Sequence, residues 1–298
     1  MDELSVLQFL AAPFVASLIL TGIHAYLGVH VVERGVIFVD LSLAQIAALG
    51  ATIALLLPFS GGDPHAPQVY WVSLMFTFIG AAIFANVRVK NARIPQEAFI
   101  GICYAVASAA SILAMSKSTS ESEHLKDMLV GNILAVSWHE VIKTAILYGC
   151  IGIFHYAFRK QFLAISRSHG DPESTGLNYR WWDFLFYASF GFVVTSSVSI
   201  AGVLLVFCYL IVPSVAAMLY SDSIGKRLAI GWTMGTVVSA LGVYLSLVLD
   251  LPTGATIVCT FGLVLIGMAA VRPLIAPQRL AGTVAEAGGP AMRRRPQE

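Results

Sequence analysis

Residues 28–45 read GVHVVERGVIFVDLSLAQ, and this stretch decides the fold. Its polar centre, Glu33-Arg34-Gly35, separates two apolar runs that cover about residues 7–32 and 37–57. An α-helix needs roughly 20 mostly apolar residues to cross a lipid bilayer, and each run reaches that length. The stretch therefore predicts two membrane-crossing helices joined by a short turn that carries a positive charge.

The composition extends this prediction to most of the 298 residues. Hydrophobic residues make up 57% of the chain, charged residues only 12%, and the mean hydropathy is +0.79. A soluble domain carries about 25% charged residues, so a chain this apolar cannot cover a water-facing surface and must use lipid as its solvent. The net charge of +1 gives no sign of a nucleic-acid partner.

Nine apolar runs predict an all-α, polytopic membrane protein with about nine transmembrane helices. The runs cover about residues 7–32, 37–57, 69–87, 97–115, 139–158, 181–199, 202–219, 228–249 and 254–271. The two runs beside Gly202 are short and nearly continuous, and Pro213 removes a backbone hydrogen bond from the second. If that region is one broken helix, the prediction becomes eight.

Positive charges lie almost entirely on one side of this arrangement, and such a bias sets the orientation of a membrane protein. It predicts an N-terminus outside, a C-terminus inside and an odd number of crossings. Fifteen of the eighteen Lys and Arg residues then fall in inner loops: Arg34, Arg88, Lys90, Arg93, Arg159, Lys160, Arg167, Arg180, Lys226, Arg227, Arg272, Arg279, Arg293, Arg294 and Arg295.

The chain divides into one long domain and a short tail. Residues 1–275 are predicted to form the transmembrane domain, and residues 276–298, rich in Ala, Gly, Pro and Arg, a disordered cytoplasmic tail. Residues 159–180 form the longest inner loop. Its basic residues suit a cytoplasmic partner, although an ordinary solvated loop has the same composition.

Motifs for catalysis are absent from the sequence. No phosphate-binding loop of the form G-x-x-x-x-G-K-S/T occurs, so the chain cannot bind ATP by that route. The segment His139-Glu140-Val141-Ile142-Lys143 places a lysine where a zinc protease needs its second histidine. We therefore expect a chain that is not an enzyme and that binds no cofactor of its own.

Asp40 is the strongest candidate for a functional residue. It interrupts an apolar run, and an ionised group in lipid costs about 2.5–3.5 kcal/mol unless it faces protein or water. Asp40 is therefore predicted to be a cation ligand on a pore wall. The alternative is a carboxylate that caps the start of a helix, where the helix dipole favours negative charge.

Two further residues are candidate ligands beside Asp40. His30 precedes the inner turn and Asp40 follows it, so a helical hairpin places them at similar depth. A histidine and a carboxylate that face one cavity suit a transition metal. Gln45 follows on the same helix as Asp40 and offers a carbonyl oxygen. For His30, a local hydrogen bond near the interface is the competing interpretation.

Seven segments in a fixed order resemble the permease subunits of the ABC-type zinc, manganese and iron importers. The similarity covers about residues 22–270. The segments are GVHVVER at 28–34 followed by Phe38-Val39-Asp40, QEAFIGI at 96–102, LVGNILAVS at 129–137, DPE at 171–173 with Gly176-Leu177, AGVLLV at 201–206, IVPSVAA at 211–217 and DLPTG at 250–254.

This resemblance implies the membrane-spanning subunit of an ATP-driven importer for divalent transition-metal ions, located in the bacterial cytoplasmic (inner) membrane. Two permeases, identical or homologous, would form the pore, two cytoplasmic ABC ATPases would power it, and an extracytoplasmic binding protein would deliver the metal. The resemblance also assigns the inner loop to ATPase docking, with Asp171, Pro172, Glu173 and Gly176 as the coupling residues.

One position departs from the family pattern. The family has a histidine four residues after the aspartate that matches Asp40, whereas this chain has Ala44 followed by Gln45. Either another histidine such as His30 takes its place, or metal is bound only weakly along the path, or the cargo is not zinc. Two rival functions stay open at this point, namely a secondary transporter without an ATPase and an ABC permease for a metal chelate.

Overall fold

The computed structural model describes residues 3–58, 66–87, 95–116, 133–168 and 172–275, and this part of the chain is helical without strands. The all-α prediction is therefore confirmed. Asp171 and the tail at residues 276–298 lie outside the described residues. The helices are α1 (Glu3–Arg34), α2 (Val39–Leu56), α3 (Pro67–Val87), α4 (Gln96–Met115), α5 (Trp138–Ala157), α6 (Arg159–Ser166), α7 (Tyr179–Tyr220), α8 (Ile224–Leu249) and α9 (Thr253–Ile275).

Most of these helices are long and apolar enough to cross a membrane. Among the described residues, α1, α2, α3, α4, α7, α8 and α9 each meet that criterion. The helices α5 and α6 meet it together, with a bend of 76° between them. The inner loop predicted at 159–180 thus begins with a helix of its own, which lies across the end of α5 rather than continuing it.

Helix α7 contains 42 residues, but Gly202 breaks it with φ 76° and ψ 161°. A straight helix of that length would extend about 63 Å, twice the thickness of the hydrocarbon core. The break therefore defines a first arm at residues 179–201 and a second arm at residues 203–220.

Contacts with α1 show how the two arms lie. Gly28 packs against the Leu210 carbonyl in the second arm, and Arg34, less than two turns further along α1, pairs with Asp183 in the first arm. In a straight helix Asp183 and Leu210 would be about 40 Å apart. The arms therefore fold back beside each other, and each is long enough for a crossing of its own. The described residues then give nine candidate crossings, whereas α7 counted as a single span, with α5 and α6 together as another, gives eight.

The core of the bundle forms around α1 and the two arms of α7. Leu20, Leu27, Phe186, Phe190 and Tyr209 are almost completely buried there. Lipid-facing positions on the outer helices are exposed and apolar, for example Ile153 of α5 and Leu263 of α9.

Exposed tryptophans mark the ends of three spans. Trp71, Trp138 and Trp181 lie near the starts of α3, α5 and α7, and each is more than half exposed. Tryptophan is enriched at both membrane–water interfaces, where its amphipathic ring sits at the level of the headgroups. The three positions are therefore consistent with helix ends that lie at the membrane surface.

Candidate functional site

Asp40 lies in the first turn of α2 and is 2% exposed. Its Oδ1 accepts a hydrogen bond of 2.7 Å from the N–H of Leu41. The local sequence explains this position, because a carboxylate in a first turn meets the unpaired N–H groups and the positive end of the helix dipole. Within the described residues no cationic side chain pairs with Asp40.

The surroundings of Asp40 come from α4 and from the second arm of α7. Glu97 in the first turn of α4 and Cys208 in the second arm both lie within electrostatic reach of its carboxylate. The Ser42 hydroxyl lies about 200° around α2 from Asp40, is buried and has no hydrogen-bond partner among the described residues. A second carboxylate and a thiol, but not this hydroxyl, therefore lie near Asp40.

Ala44 and Gln45 lie on different faces of α2. Ala44 is one turn beyond Asp40, lies on the same face and is 2% exposed. Gln45 is turned by about 100° from Ala44 and is half-buried. The family histidine would therefore point to the same side as Asp40, whereas the Gln45 amide lies towards the partly exposed stripe that also contains Leu41 and Leu49.

His30 lies among other helices than Asp40 does. Its Nδ1 is 2.8 Å from the Ser166 hydroxyl of α6, and its ring packs on Tyr26 and on Phe186 of α7. The similar depth predicted for His30 and Asp40 thus does not create a contact between them. In the described parts of the chain, no group of three or more His, Cys, Asp and Glu side chains is arranged to hold a metal ion.

A buried polar cluster surrounds His30 at the C-terminal end of α1. Arg34 forms an ion pair with Asp183, and both side chains are at most 1% exposed. The Nε of Arg34 also donates a 2.9 Å hydrogen bond to the Ser166 hydroxyl, and its guanidinium lies 3.9 Å from the centre of the Phe186 ring. One side chain of α1 therefore binds α6 and the first arm of α7 at once.

A second histidine continues this cluster. His155 of α5 places its Nε2 2.8 Å from the Ser189 hydroxyl, and its ring stacks on Phe162 of α6 at 4.3 Å between centroids. Sequence reasoning missed the cluster. Asp183 was a signal that could have revealed it, because it is a carboxylate inside the predicted span 181–199.

The predicted coupling residues lie directly after α6. Pro172–Thr175 form a single 3-10 turn, Glu173 is exposed, and Gly176 adopts φ 68°, which glycine tolerates and other residues rarely do. Asn178 then accepts a hydrogen bond of 3.3 Å from the N–H of Trp181 and caps α7. Because Asp171 lies outside the described residues, the structure places three of the four predicted coupling residues.

The Glu140 side chain, part of the segment that resembles a zinc motif, has a structural role. Ser137 and Glu140 form a reciprocal capping box, in which the Ser137 N–H donates to Glu140 at 2.8 Å and the Glu140 N–H donates to the Ser137 hydroxyl at 3.3 Å. The pair therefore starts α5.

A family model described as the ABC 3 transport family matches residues 6–272 of the chain. The chain belongs to this family. The resemblance drawn from the sequence is thereby confirmed, and family membership makes the chain a multi-pass permease of a metal or metal-chelate transporter rather than an enzyme.

Individual relatives agree with the family model. The chain is 29% identical over 206 residues to the manganese transport system membrane protein MntC of Listeria innocua, a match that covers 65% of this chain and 71% of the relative. It is 24% identical over 242 residues to the chelated iron transport system membrane protein YfeC of Yersinia pestis, covering 81% of this chain and 79% of that protein. These bacterial relatives accord with a location in the bacterial inner membrane.

A solved structure has the same fold. The structure of PsaBC from Streptococcus pneumoniae in complex with Fab is similar with a TM-score of 0.73 at 23% identity. The similarity covers 92% of this chain and 95% of that one. The two chains therefore share one fold over nearly their whole lengths.

Proposed function

We propose that this family member is the membrane-spanning subunit of an ATP-driven importer for divalent transition-metal ions, namely zinc, manganese or iron. The observation that carries the proposal is Asp40, a 2% exposed carboxylate in a spanning helix without a cationic partner among the described residues. An intramembrane charge of this kind is expensive and marks an ion path in many transport proteins. A passing divalent cation would supply the missing positive charge.

Asp40 is the principal ligand in this proposal, and Gln45 and His30 are lesser ones. Gln45 lies little more than one turn from Asp40 on the same helix and could offer its carbonyl oxygen if α2 rotates or a second subunit completes the site. His30 would have to release its hydrogen bond to Ser166 before it could bind metal through Nδ1. With Ala44 in place of the family histidine, we expect weaker and more oxygen-rich coordination than in relatives that keep it. Weak coordination is compatible with transport, because a conducting site must release its ion.

The energy source is proposed to be a separate pair of cytoplasmic ABC ATPases. The chain has no phosphate-binding loop of its own, and Glu173 and Gly176 are exposed in a short connection that a partner can reach. An extracytoplasmic metal-binding protein would supply the ion at the outer side, and a second permease copy or homologue would complete the pore.

Uptake measurements test this function. Cells that lack the chain would be complemented with the wild type, Asp40→Asn or Asp222→Asn, and their uptake of radiolabelled manganese, iron and zinc would be compared. Asp222 is a fully exposed carboxylate and serves as the matched control. We expect Asp40→Asn to lose most of its uptake and Asp222→Asn to keep it. Full uptake by Asp40→Asn would remove Asp40 from the ion path.

Transport of a metal chelate is the second candidate, because a relative is a chelated iron transport system protein. The same cells would be given free metal or metal bound to a strong chelator. Uptake that requires the chelator would favour the chelate, whereas uptake that the chelator abolishes favours the bare ion. ATP-independent uptake by the purified chain alone in vesicles would support a secondary transporter instead.

A further inference from the structure

The inner end of α1 is joined on one side to the inner loop and on the other side to the Asp40 turn. Ser166, the last residue of α6, is 1% exposed, and its hydroxyl is bound by both His30 and Arg34 of α1. The loop that carries Glu173 and Gly176 follows a few residues later, and its 3-10 turn at Pro172–Thr175 contacts α6. A displacement of this turn would therefore act on α6, whose last residue is bound by α1.

Helix α6 packs against the surface of the helix bundle as a separate element. It meets α5 at 76°, buries Phe162, Ile165 and Ser166, and exposes Arg159 and Lys160. This pattern is that of a short amphipathic helix at a membrane surface. Its apolar contacts can slide, since they are not directional, whereas the hydrogen bonds of Ser166 fix its position along α1.

On its other side, the end of α1 continues into the turn between α1 and α2. It contains only residues 35–38, and backbone hydrogen bonds from Val36 to Val31 at 3.2 Å and from Val39 to Val36 at 3.1 Å close it tightly. Asp40 follows in the next turn of helix. A shift of Arg34 is therefore transmitted to Asp40 through a few residues of rigid backbone.

We propose that Arg34, Ser166 and Asp183 are positioning residues which make the inner loop and the Asp40 turn move together during transport. The proposal rests on the proposed function, because it assumes that an ATPase acts on the loop. Arg34 holds the first arm of α7 through Asp183 and holds α6 through Ser166, so it is the shared member of both contacts.

The test uses the complex of this chain with its ATPase, reconstituted in lipid vesicles with the metal-loaded binding protein. Two quantities are measured together, ATP hydrolysed and metal imported, and their ratio reports coupling. Ser166→Ala removes the hydroxyl through which α6 is hydrogen-bonded to His30 and Arg34, but it leaves the ion pair of Arg34 and Asp183 in place. Ser111→Ala is the matched control, because Ser111 is also buried and, within the described residues, donates its hydrogen bond to the Ala107 carbonyl of its own helix.

We expect the Ser166→Ala complex to hydrolyse ATP at the wild-type rate but to import at least about threefold less metal per ATP hydrolysed. The Ser111→Ala complex should match the wild type in both quantities. An unchanged ratio in Ser166→Ala, or an equal fall in both variants, would overturn the proposal. If the wild-type complex itself shows no ATP-dependent metal import, the proposed function fails instead, and the two failures are thus distinguishable.

A double variant distinguishes a loss of coupling from a loss of folding. Arg34→Met with Asp183→Leu replaces the buried ion pair by apolar side chains, a change that often leaves stability unaffected, whereas removal of one partner strands a buried charge. A folded double variant with a lowered import-to-hydrolysis ratio supports a positioning role. A folded double variant with the normal ratio shows that the pair only stabilises the fold and contradicts the proposal.

Discussion

The carboxylate of Glu97 accepts a hydrogen bond of 3.0 Å from the backbone N–H of Phe38, and a residue of α4 thereby caps the start of α2. Phe38 is the N-cap residue of α2 and has no side-chain cap of its own. The cap therefore comes from a neighbouring helix, two residues before Asp40. It ties the turn that carries the candidate ion ligand to α4.

Removal of this cap is expected to loosen the α1–α2 turn. Glu97→Ala should destabilise the purified chain by about 1 kcal/mol, which is the usual cost of a lost N-cap. Glu97→Gln keeps an acceptor oxygen and should cost less. Thermal unfolding of both variants in detergent measures the effect, with the exposed Glu173→Ala as a control that should leave the unfolding midpoint unchanged. Equal midpoints for Glu97→Ala and the wild type would show that the cap contributes nothing.

Close packing between α1 and the second arm of α7 gives a sharper test. A Cβ added at Gly28 would overlap the Leu210 carbonyl oxygen and the Ser214 hydroxyl, whereas a Cβ at Gly22 of the same helix would meet nothing within 4 Å. Small residues allow backbones in membranes to approach closely, and overpacking costs about 1–3 kcal/mol. Gly28→Ala should therefore lower the unfolding midpoint and the metal uptake.

Gly22→Ala is the matched control for this substitution and should leave both quantities unchanged. The two variants add the same methyl group to the same helix, so they differ only in what that methyl group meets. A Gly28→Ala variant as stable as Gly22→Ala would mean that the second arm does not lie against α1, and the two-arm geometry of α7 would then be wrong.

The broken region of α7 shows which features of the fold could be predicted from the sequence and which could not. The apolar runs predicted the spans well, for example 97–115 against Gln96–Met115 and 228–249 against Ile224–Leu249. At Gly202 the apolar pattern fits both a turn between two spans and one broken helix, because both need a glycine between apolar runs, and only the charge bias favours two spans. Only the long-range contacts of Gly28 and Arg34 decide between them.

The candidate site was predictable only in part, for a related reason. The cost of a charge in lipid singles out Asp40 from the sequence alone. Partners far apart in the chain, such as Arg34 with Asp183 or Glu97 with Phe38, depend on how the helices pack and leave no local pattern. His30 illustrates the limit, because its depth was predictable whereas the face of α1 on which it lies was not.

Gly202 itself carries a prediction about the turn between the arms. Its φ of 76° with ψ of 161° is a conformation that residues with a Cβ avoid, so Gly202→Ala should cost about 1–3 kcal/mol in stability. Gly262→Ala in α9 is the control, since an added Cβ there meets nothing within 4 Å. Thermal unfolding compares the two, and a neutral Gly202→Ala would contradict the observed backbone geometry.

The orientation of the chain is a prediction that labelling can test. Fifteen of eighteen Lys and Arg residues lie on the side of the inner loops, and this bias should place Glu173 in the cytoplasm and Leu251, between α8 and α9, outside. Both residues are exposed and suit a single introduced cysteine in a background that lacks the four native cysteines.

In intact spheroplasts, a membrane-impermeant maleimide should label Leu251→Cys but not Glu173→Cys, and permeabilisation should make Glu173→Cys reactive. The reason is that an odd number of crossings separates the two positions, namely the two arms of α7 and α8. Labelling of Glu173→Cys in intact spheroplasts would place the loop outside, where no cytoplasmic ATPase could reach it. The proposed coupling through Ser166 and Arg34 would then be wrong, because no ATPase could act on the loop. This result would leave the proposed role of Asp40 in the ion path untouched.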